Sequence, residues 1–260
     1  MASIKERQAE ELALLLKDKS LVPKLAIIVT VDHPAINVYM HKKEQYGRDL
    51  GIAVDIHRTD QKDVPALLDM LNNDASVQGI IIQLPLADPS ETEELTALVA
   101  PEKDVDALGP DATFEPATPL AILWLLEGHG INLTGKHVVL VGRGKLVGRP
   151  LRRMLEEQGV SVSVIHRQTE DVKGDMLRGD VIITATGSPG IVQSDMVKPG
   201  AVVVDAGVAG EAGKTVGDVA PEVYERDDIT ATPFRGGVGP LTVCALFENV
   251  INATKRLALR

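Results

Sequence analysis

The stretch that decides the fold is VVLVGRGKLVGRP, residues 138–150, in which a β-branched apolar run ends in glycines and an amphipathic pattern begins at once. This order predicts a strand, a tight turn and a helix. Gly142, Gly144 and Gly148 permit close backbone approach, and the N–H groups that open the following helix can bind a phosphate. The spacing G-x-G-x-x-x-G is one residue longer than the usual dinucleotide fingerprint. A glycine turn that holds no ligand is therefore the alternative.

Further apolar runs place this turn in a doubly wound sheet. They occupy residues 160–165, 181–185 and 201–205 on the downstream side, and residues 25–31, 52–57 and 77–83 on the upstream side. Because helical or turn segments separate the runs, both groups are predicted to form mainly parallel sheets. We predict two three-layer α/β lobes with a ligand cleft between them, the second lobe being Rossmann-like. The first lobe spans residues 1–118 and is completed by a C-terminal helix at 241–260, and the second spans residues 119–240.

Composition limits the class of partner. The 260 residues are 44% hydrophobic, and the formal net charge of -10 argues against a nucleic-acid surface, which needs clustered lysine and arginine. The single cysteine, Cys244, excludes an internal disulfide and fits a reducing compartment. The charged N-terminus does not resemble a signal peptide, and no apolar run reaches membrane-spanning length. We expect a cytoplasmic protein with a small-molecule partner, no nucleic acid and no membrane.

The predicted helix at residues 35–50 carries the clearest candidate for chemistry. Tyr39, Lys43, Tyr46 and Leu50 are spaced by four, three and four, so they share one stripe that is otherwise apolar. Lys43 therefore faces inward, whereas Lys42 lies on a more polar row. An inward lysine either extends its amine to water or serves with Tyr39 as a proton-transfer pair. The pattern by itself leaves both interpretations open.

Three further segments supply polar groups. Gln83 ends an apolar strand and is followed by Leu84 and Pro85, which is also typical of a capped strand end. Asp104 and Asp106 lie in a proline-rich connection, where a carboxylate can accept ring N–H groups or be hydrated, and hydration is the favoured reading for Asp104. The Gly-Pro loop at 232–242 opens the last helix and either lines a ligand site or turns the chain.

Taken together, these blocks resemble one known family in order and spacing, over about residues 23–254. The blocks are YxxxK at 39–43, GIIIQLPL at 79–86, PEKDVDAL at 101–108, PATP at 116–119, VGRGKLVGRP at 141–150 and TPFRGGVGPLT at 232–242. The family is that of bifunctional methylenetetrahydrofolate dehydrogenase/methenyltetrahydrofolate cyclohydrolase. The resemblance implies a homodimer, joined through its nucleotide domains, that oxidises 5,10-methylenetetrahydrofolate with NADP and hydrolyses the methenyl product to 10-formyltetrahydrofolate. It implies a place in one-carbon metabolism and purine biosynthesis.

The resemblance also assigns residues. It implies that Lys43 is the catalytic lysine and that the other catalytic and folate-contacting positions are Tyr39, Gln83, Leu84, Pro85, Asp106, Gly236, Gly237 and Pro240. It implies that the cofactor contacts are Gly142, Arg143, Gly144, Arg167 and the backbone of Val208. No metal ligand is implied. The chain departs from the family's pattern at Ile36, Ala107, Ala117 and Gly144, where the family usually has serine, glycine, cysteine and serine.

The choice of NADP also follows from the residues alone. Dinucleotide folds that prefer NAD carry an acidic residue about 20 positions beyond the glycines, and it repels a 2′-phosphate. This chain has Arg167 there instead, and with Arg143 it could clamp the phosphate.

Two other classes of protein share part of this pattern. Short-chain dehydrogenases also use YxxxK, but their nucleotide glycines precede that motif, which is the reverse of the order here. A non-catalytic nucleotide-binding relative is disfavoured by the intact Lys43, Gln83 and Asp106.

The hydrolytic step sets a requirement for Lys43. A lysine near its reference pKa of about 10.4 cannot take a proton from water at neutral pH. We therefore expect its pKa to be lowered by burial, with Gln83 holding the amine in register.

Overall fold

The structure is a computed structural model that describes residues 2–17, 22–211, 214–233 and 236–258. The chain divides into two compact units, one formed by residues 1–117 with 243–260 and the other by residues 118–242. Two residues of the Gly-Pro loop, Phe234 and Arg235, lie outside the described residues.

The first unit is built on a three-stranded parallel sheet with strand order β2-β1-β3. Its elements are α1 (Ala2–Leu16), β1 (Lys24–Val29), α2 (Pro34–Leu50), β2 (Ala53–Arg58), α3 (Val64–Asn73), β3 (Gly79–Ile82) and α4 (Thr92–Ala97). The register places Ile27 of β1 beside Ile56 of β2 and Ile81 of β3. Every predicted strand and helix of this unit is present, although β1 and β3 end earlier than the apolar runs, and α4 is preceded by a short 3-10 turn.

Helix α2 is fixed at its ends and along its length by particular residues. Pro34 occupies its first turn, where a missing N–H costs nothing, and Gly51 follows its end with a φ of +76°. Gly47 lies so close to β2 that an added Cβ would stand 2.5 Å from a methyl carbon of Val54. This close approach fixes the rotation of α2 and hence the direction in which Lys43 points.

The segment after α4 runs along the free edge of β3. The Ile80 N–H donates to the carbonyl of Lys103 at 2.7 Å, and Asp104 forms an isolated parallel bridge with Ile80. Because the bridge is parallel, the chain continues toward the carboxyl end of β3, so Asp106 follows in the direction of Gln83. The predicted connection is thus anchored to the first sheet.

The second unit contains a five-stranded parallel sheet with strand order β10-β7-β6-β4-β5. The elements that follow α4 are α5 (Ala117–Gly128), β4 (His137–Val141), α6 (Gly148–Glu157), β5 (Ser161–Ile165), α7 (Val172–Arg178), β6 (Val181–Thr184), β7 (Val202–Asp205), β8 (Ala209–Glu211), β9 (Lys214–Val216), α8 (Pro221–Tyr224) and β10 (Thr230–Ala231). The four strands expected from the sequence are all present, and the short β8, β9 and β10 were not expected. Successive strands lie on opposite sides of β4, as in a doubly wound fold.

The chain ends in α9 (Val238–Ala258), whose residues from Val243 onward belong to the first unit. Within that unit the ring of Phe247 packs against Tyr46 of α2, with ring centroids 5.1 Å apart. Among the helices of the described residues, none combines the length and apolarity needed to cross a membrane.

Candidate active site

Lys43 and Gln83 are in direct contact in the first unit. The half-buried Lys43 donates from Nζ to Oε1 of Gln83 at 2.9 Å. The amide of Gln83 is itself fixed, because its Nε2 donates to the carbonyl of Leu84 at 2.7 Å and its backbone N–H donates to Ile28 at 2.8 Å. The peptide bond between Leu84 and Pro85 is cis. An amide at the carboxyl end of β3 thus holds the lysine amine in one position.

Asp106 supplies the opposite charge near this amine. Burial lowers the pKa of Lys43, and attraction to Asp106 opposes that shift. Burial likewise raises the pKa of Asp106, and attraction to Lys43 opposes it. Both side chains are therefore displaced toward their neutral forms by removal from water. A lysine in this state can accept a proton at a lower pH than a free lysine does.

The sequence leaves open whether Tyr39 pairs with Lys43. Among the described residues no hydrogen bond joins the Tyr39 hydroxyl to Lys43, and the tyrosine is 36% exposed at the outer end of the stripe. Instead, Nζ of the exposed Lys42 lies 5.5 Å from the centroid of the Tyr39 ring. The phenol is therefore partly exposed beside Lys42, and the lysine amine is held by Gln83.

Asp104 was expected to be hydrated, and that expectation is wrong. The side chain is only 3% exposed and accepts backbone N–H groups from Leu108 at 3.3 Å and Gly109 at 2.7 Å. Burial is the main effect that raises its pKa. Asp104 closes the turn that follows it, whereas Asp106 is the carboxylate coupled to Lys43. Ala107, inside this turn, has a φ of +56°, in the region that favours glycine.

Asn249 of α9 is a supporting residue that the sequence analysis missed. It is 3% exposed, and its Nδ2 donates to the carbonyls of Val105 at 2.9 Å and Glu115 at 2.8 Å. Asn249 thus holds the backbone immediately before Asp106. A polar residue interrupting an apolar helical pattern was the available signal.

Tyr46, which lies on the same stripe of α2, belongs to a polar network. The hydroxyl of Tyr46 donates to Oε1 of the buried Gln8 at 2.7 Å, and Gln8 donates to Glu248 at 2.7 Å and to the carbonyl of Cys244 at 2.9 Å. Burial raises the pKa of Tyr46. This network joins α1, α2 and α9 one turn away from Lys43. The Tyr46 hydroxyl therefore has a structural role.

The glycine-rich turn of the second unit has the geometry that the sequence predicts. Gly142 has a φ of +109°, and a Cβ on Gly148 would overlap the carbonyl oxygen of Gly142. Glycine is thus required at both positions for the turn to close against the start of α6. At Gly144 an added Cβ would meet no atom within 4 Å, so this position faces open space.

A positively charged cavity of about 480 Å³ adjoins this turn. It is lined by Arg143, Gly148, Arg149, Arg152, Val162, Val164 and His166. Arg167 is exposed and is not among these residues, and Val208 is 59% exposed. Arg149 and Arg152 were not singled out from the sequence, although their spacing of three on a helix opening after Gly148 indicates a shared face. The cavity can accept an anionic group.

The remaining predicted positions belong to the second unit at the start of α9. Gly236 has a φ of +85°, an added Cβ on Gly237 would lie 3.3 Å from Cβ of Thr232, and Pro240 is in the first turn of the helix. Over the described ranges, no group of three or more histidine, cysteine, aspartate or glutamate side chains is arranged to hold a metal ion.

Comparison with family models gives two adjoining matches. Residues 1–106 match the tetrahydrofolate dehydrogenase/cyclohydrolase catalytic domain, and residues 116–258 match the tetrahydrofolate dehydrogenase/cyclohydrolase NAD(P)-binding domain. The first match contains Lys43, Gln83 and Asp106, and the second contains the glycine-rich turn.

Individual relatives are similar over nearly their whole length. The bifunctional protein FolD of Exiguobacterium sibiricum is 38% identical over 259 residues, covering 95% of this chain and 93% of the relative. The crystal structure of the bifunctional FolD dehydrogenase/cyclohydrolase of Campylobacter jejuni has a TM-score of 0.90 at 36% identity, covering 98% of this chain and 95% of the other. The Trypanosoma brucei FolD structure, complexed with NADP cofactor and an inhibitor, has a TM-score of 0.90 at 28% identity, covering 98% and 94%.

Proposed function

The chain belongs to the tetrahydrofolate dehydrogenase/cyclohydrolase family, and from this premise we propose how its own residues perform the two reactions of that family. The protein is a bifunctional enzyme of one-carbon metabolism. It oxidises 5,10-methylenetetrahydrofolate to 5,10-methenyltetrahydrofolate with NADP, and it hydrolyses the methenyl product to 10-formyltetrahydrofolate. Membership of this family removes the short-chain dehydrogenase alternative.

The observation that carries the proposed mechanism is the contact between Lys43 and Gln83. In the hydrolysis, water attacks the methenyl carbon and loses a proton as the new C–O bond forms. Burial lowers the pKa of Lys43, which increases the fraction of neutral amine that can take that proton, and Gln83 fixes where the amine lies. The bond from this carbon to the ring nitrogen N5 then breaks: the protonated amine gives its proton to that nitrogen, and the hydroxyl proton of the intermediate leaves to solvent as the formyl C=O bond forms. The released formyl group stays on N10.

The bound substrate strengthens this effect. The methenyl group carries a positive charge, which disfavours a second positive charge on Lys43 and lowers its pKa further. Asp106 opposes this by attracting the ammonium, so the Asp106 carboxylate sets how far the pKa falls. We propose that the Asp106 carboxylate accepts hydrogen bonds from the ring N–H groups of the substrate, so that its negative charge acts on the folate as well as on Lys43. Tyr39 contributes its exposed ring and hydroxyl as a substrate contact.

The oxidation needs little acid–base chemistry from the protein. Hydride passes from the methylene carbon to the nicotinamide, so this chain chiefly aligns the two partners. NADP supplies the hydride acceptor when bound, and the second unit holds it. We assign the turn of Gly142, Arg143 and Gly144 to the dinucleotide, with Arg143 and Arg167 toward the 2′-phosphate and Val208 contributing a backbone contact. Arg149, which lines the cavity beside Arg143, adds positive charge there, whereas Arg152 is ion-paired with Glu156.

Lobe roles and assembly complete the proposal. We assign folate binding and catalysis to residues 1–118 with the C-terminal helix, NADP binding to residues 119–240, and the loop of Gly236, Gly237 and Pro240 to the folate. We also propose an isologous homodimer through the nucleotide lobes, a cytoplasmic location and a contribution to purine biosynthesis. The location is supported by the presence of a single cysteine, since one cysteine cannot form a disulfide within the chain.

One assay tests the catalytic proposal and a second tests assembly. Mixing the protein with 5,10-methylenetetrahydrofolate and NADP should produce reduced cofactor and then 10-formyltetrahydrofolate. A protein that binds NADP yet forms neither product would be the non-catalytic relative. Light scattering at micromolar concentration should give the mass of a dimer, and a mass of one chain would remove the dimer proposal.

A further inference from the structure

The second unit contains a buried carboxylate that the proposed reactions do not use. Asp218 is fully buried, and its carboxylate accepts four hydrogen bonds. The donors are Oγ1 of Thr184 at 2.6 Å, the N–H of Thr186 at 2.6 Å, Oγ1 of Thr186 at 2.9 Å and the N–H of Ser188 at 2.8 Å. Across the part of the chain that the structure describes, Asp218 forms no ion pair with lysine or arginine. Its negative charge is stabilised by N–H and O–H donors at the end of β6 and in the turn that follows it.

A second carboxylate holds the backbone of the first. Asp205, at the end of β7, accepts the N–H groups of Gly207 at 2.9 Å, Asp218 at 3.1 Å and Val219 at 3.1 Å, together with the hydroxyl of Tyr224 at 3.0 Å. Asp205 therefore fixes the backbone of Asp218, and Asp218 fixes the turn after β6. The two carboxylates thus connect, through hydrogen bonds to the backbone, the carboxyl ends of the adjacent strands β6 and β7.

The turn held by Asp218 lies where a doubly wound sheet binds its ligand. The next strand along the chain, β5, lies on one side of β4, and the strand after it, β6, lies on the other side. The strand order therefore reverses between β4 and β6, and the carboxyl ends of these two strands form the topological switch point. Gly142 directly follows β4, and a Cβ added to it would lie 3.0 Å from Cγ2 of Thr186 and 3.1 Å from the carbonyl oxygen of Ala185. The turn at 185–188 is therefore one wall of the switch point.

The turn after β7 depends on the same carboxylate. A Cβ added to Gly207 would overlap the carboxylate of Asp218, so only glycine leaves room for it. A Cβ added to Gly187 would lie 3.3 Å from the carbonyl oxygen of Val208. Asp218 thus packs between the turn after β6 and the turn that leads to Val208.

We propose that Asp218 is a positioning residue for NADP, which acts by holding the turns after β6 and β7 in the shape that receives the cofactor. This inference rests on the proposed function, because Gly142 and Val208 are assigned there to the cofactor. The carboxylate is chemically required. All four hydrogen-bonding partners of the carboxylate are donors. The side-chain amide of an asparagine would place its own NH2 donor opposite at least one of these donors.

The test replaces Asp218 with asparagine and follows cofactor binding and both reactions separately. The Kd for NADP, measured by calorimetry, should rise by about 10–100-fold, because a displacement of about 1 Å in a positioning element has effects of this size. Hydrolysis of added methenyltetrahydrofolate uses no cofactor and should stay within about twofold of wild type, the range of effects below 0.5 kcal/mol. Asp195→Asn is the matched control, since this exposed aspartate of the same unit is paired with Lys173 on the surface.

A milder pair of variants covers the case in which Asp218→Asn does not fold. Thr186→Val removes one donor to the carboxylate while nearly preserving side-chain volume, and Thr186→Ser keeps that donor. The proposal requires Thr186→Val to weaken NADP binding more than Thr186→Ser does.

Two results would overturn the proposal. One is an unchanged Kd for NADP in Asp218→Asn or, if that variant does not fold, in Thr186→Val. The other is a parallel loss of both reactions and of thermal stability with no difference between the two Thr186 variants. Calorimetry needs no turnover, so a wild-type protein that binds NADP without reducing it would refute the proposed function while this inference is still decided by the binding data.

Discussion

Replacing Lys43 with methionine should separate the two reactions. The variant removes the amine and keeps an unbranched side chain of similar length on the buried stripe of α2. Hydrolysis of the methenyl substrate should fall by at least about 10²-fold, the usual contribution of a general base. Hydride transfer has no such requirement and should keep measurable activity.

The structure indicates how large the indirect effects are. Loss of the amine leaves Oε1 of Gln83 without its 2.9 Å donor, which costs about 1–3 kcal/mol where the acceptor stays out of water. It also removes the charge that opposes the raised pKa of Asp106. These effects act on substrate placement, and they should therefore lower both reactions by a similar factor. The ratio of hydrolysis to oxidation isolates the proton-transfer role.

The assay follows methenyl hydrolysis and NADP reduction side by side, with Lys42→Met as control. Lys42 is exposed and its amine lies 5.5 Å from the centroid of the Tyr39 ring. An exposed contact of this type contributes about 0.5–1 kcal/mol, so the control should lose no more than about fivefold in either reaction. An unchanged ratio in Lys43→Met would refute the general-base role and leave Lys43 as a positioning residue. A larger hydrolytic defect in Lys42→Met than in Lys43→Met would refute the orientation argument.

Four other changes have defined outcomes. The hydrolysis rate should rise with pH as Lys43 loses its proton. Asp106→Asn should shift the midpoint of this pH–rate profile to lower pH, because the carboxylate raises the pKa of Lys43. A shift to higher pH would contradict the electrostatic coupling of Asp106 to Lys43. Arg167→Ala should reduce the preference for NADP over NAD by about 10-fold or more, as expected for one charge-assisted hydrogen bond; an unchanged preference would leave the 2′-phosphate to the cavity arginines. Asn249→Ala should lower the free energy of unfolding by about 2 kcal/mol in urea titrations, since two buried carbonyls lose their donor, and an unchanged midpoint would argue against this support. Ala107→Gly should leave stability unchanged or raise it by about 1 kcal/mol, because the relief of a positive φ exceeds the added freedom of the unfolded chain; a clear loss would show that this backbone is not strained.

The architecture was predictable because it depends on long periodic patterns. The buried β-branched runs and the glycine turn at Gly142 determine two parallel sheets, and the stripe through Lys43 and Tyr46 determines which face of α2 is buried. These features depend on which side chains are buried, and the periodicity of apolar residues along the chain indicates this directly. The short strands β8 and β10 contain three and two residues, too few for any period to be visible.

The details of the site depend on contacts between distant residues, which spacing does not encode. The sequence places Tyr39 and Lys43 one turn apart, yet the amine is held by Gln83, 40 residues away, and Lys42 lies against the tyrosine ring. The polar segment around Asp104 predicts a hydrated carboxylate, but the turn at Gly109 folds back over it. Asn249 and Asp218 act on segments far from them along the chain, so neither was singled out from the sequence.

Titration of the Lys43 amine itself tests whether this lysine can act as the base in hydrolysis. NMR of lysine Nζ signals, with Lys43 assigned by its absence in Lys43→Met, gives the pKa in the folded enzyme and again with a folate analogue bound. We expect a pKa below the ordinary lysine value of 10.5, because burial is the main influence on this amine. We also expect this pKa to fall further when a positively charged analogue binds. A pKa at or above 10.5 in both states would contradict the claim that Lys43 serves as the base in hydrolysis.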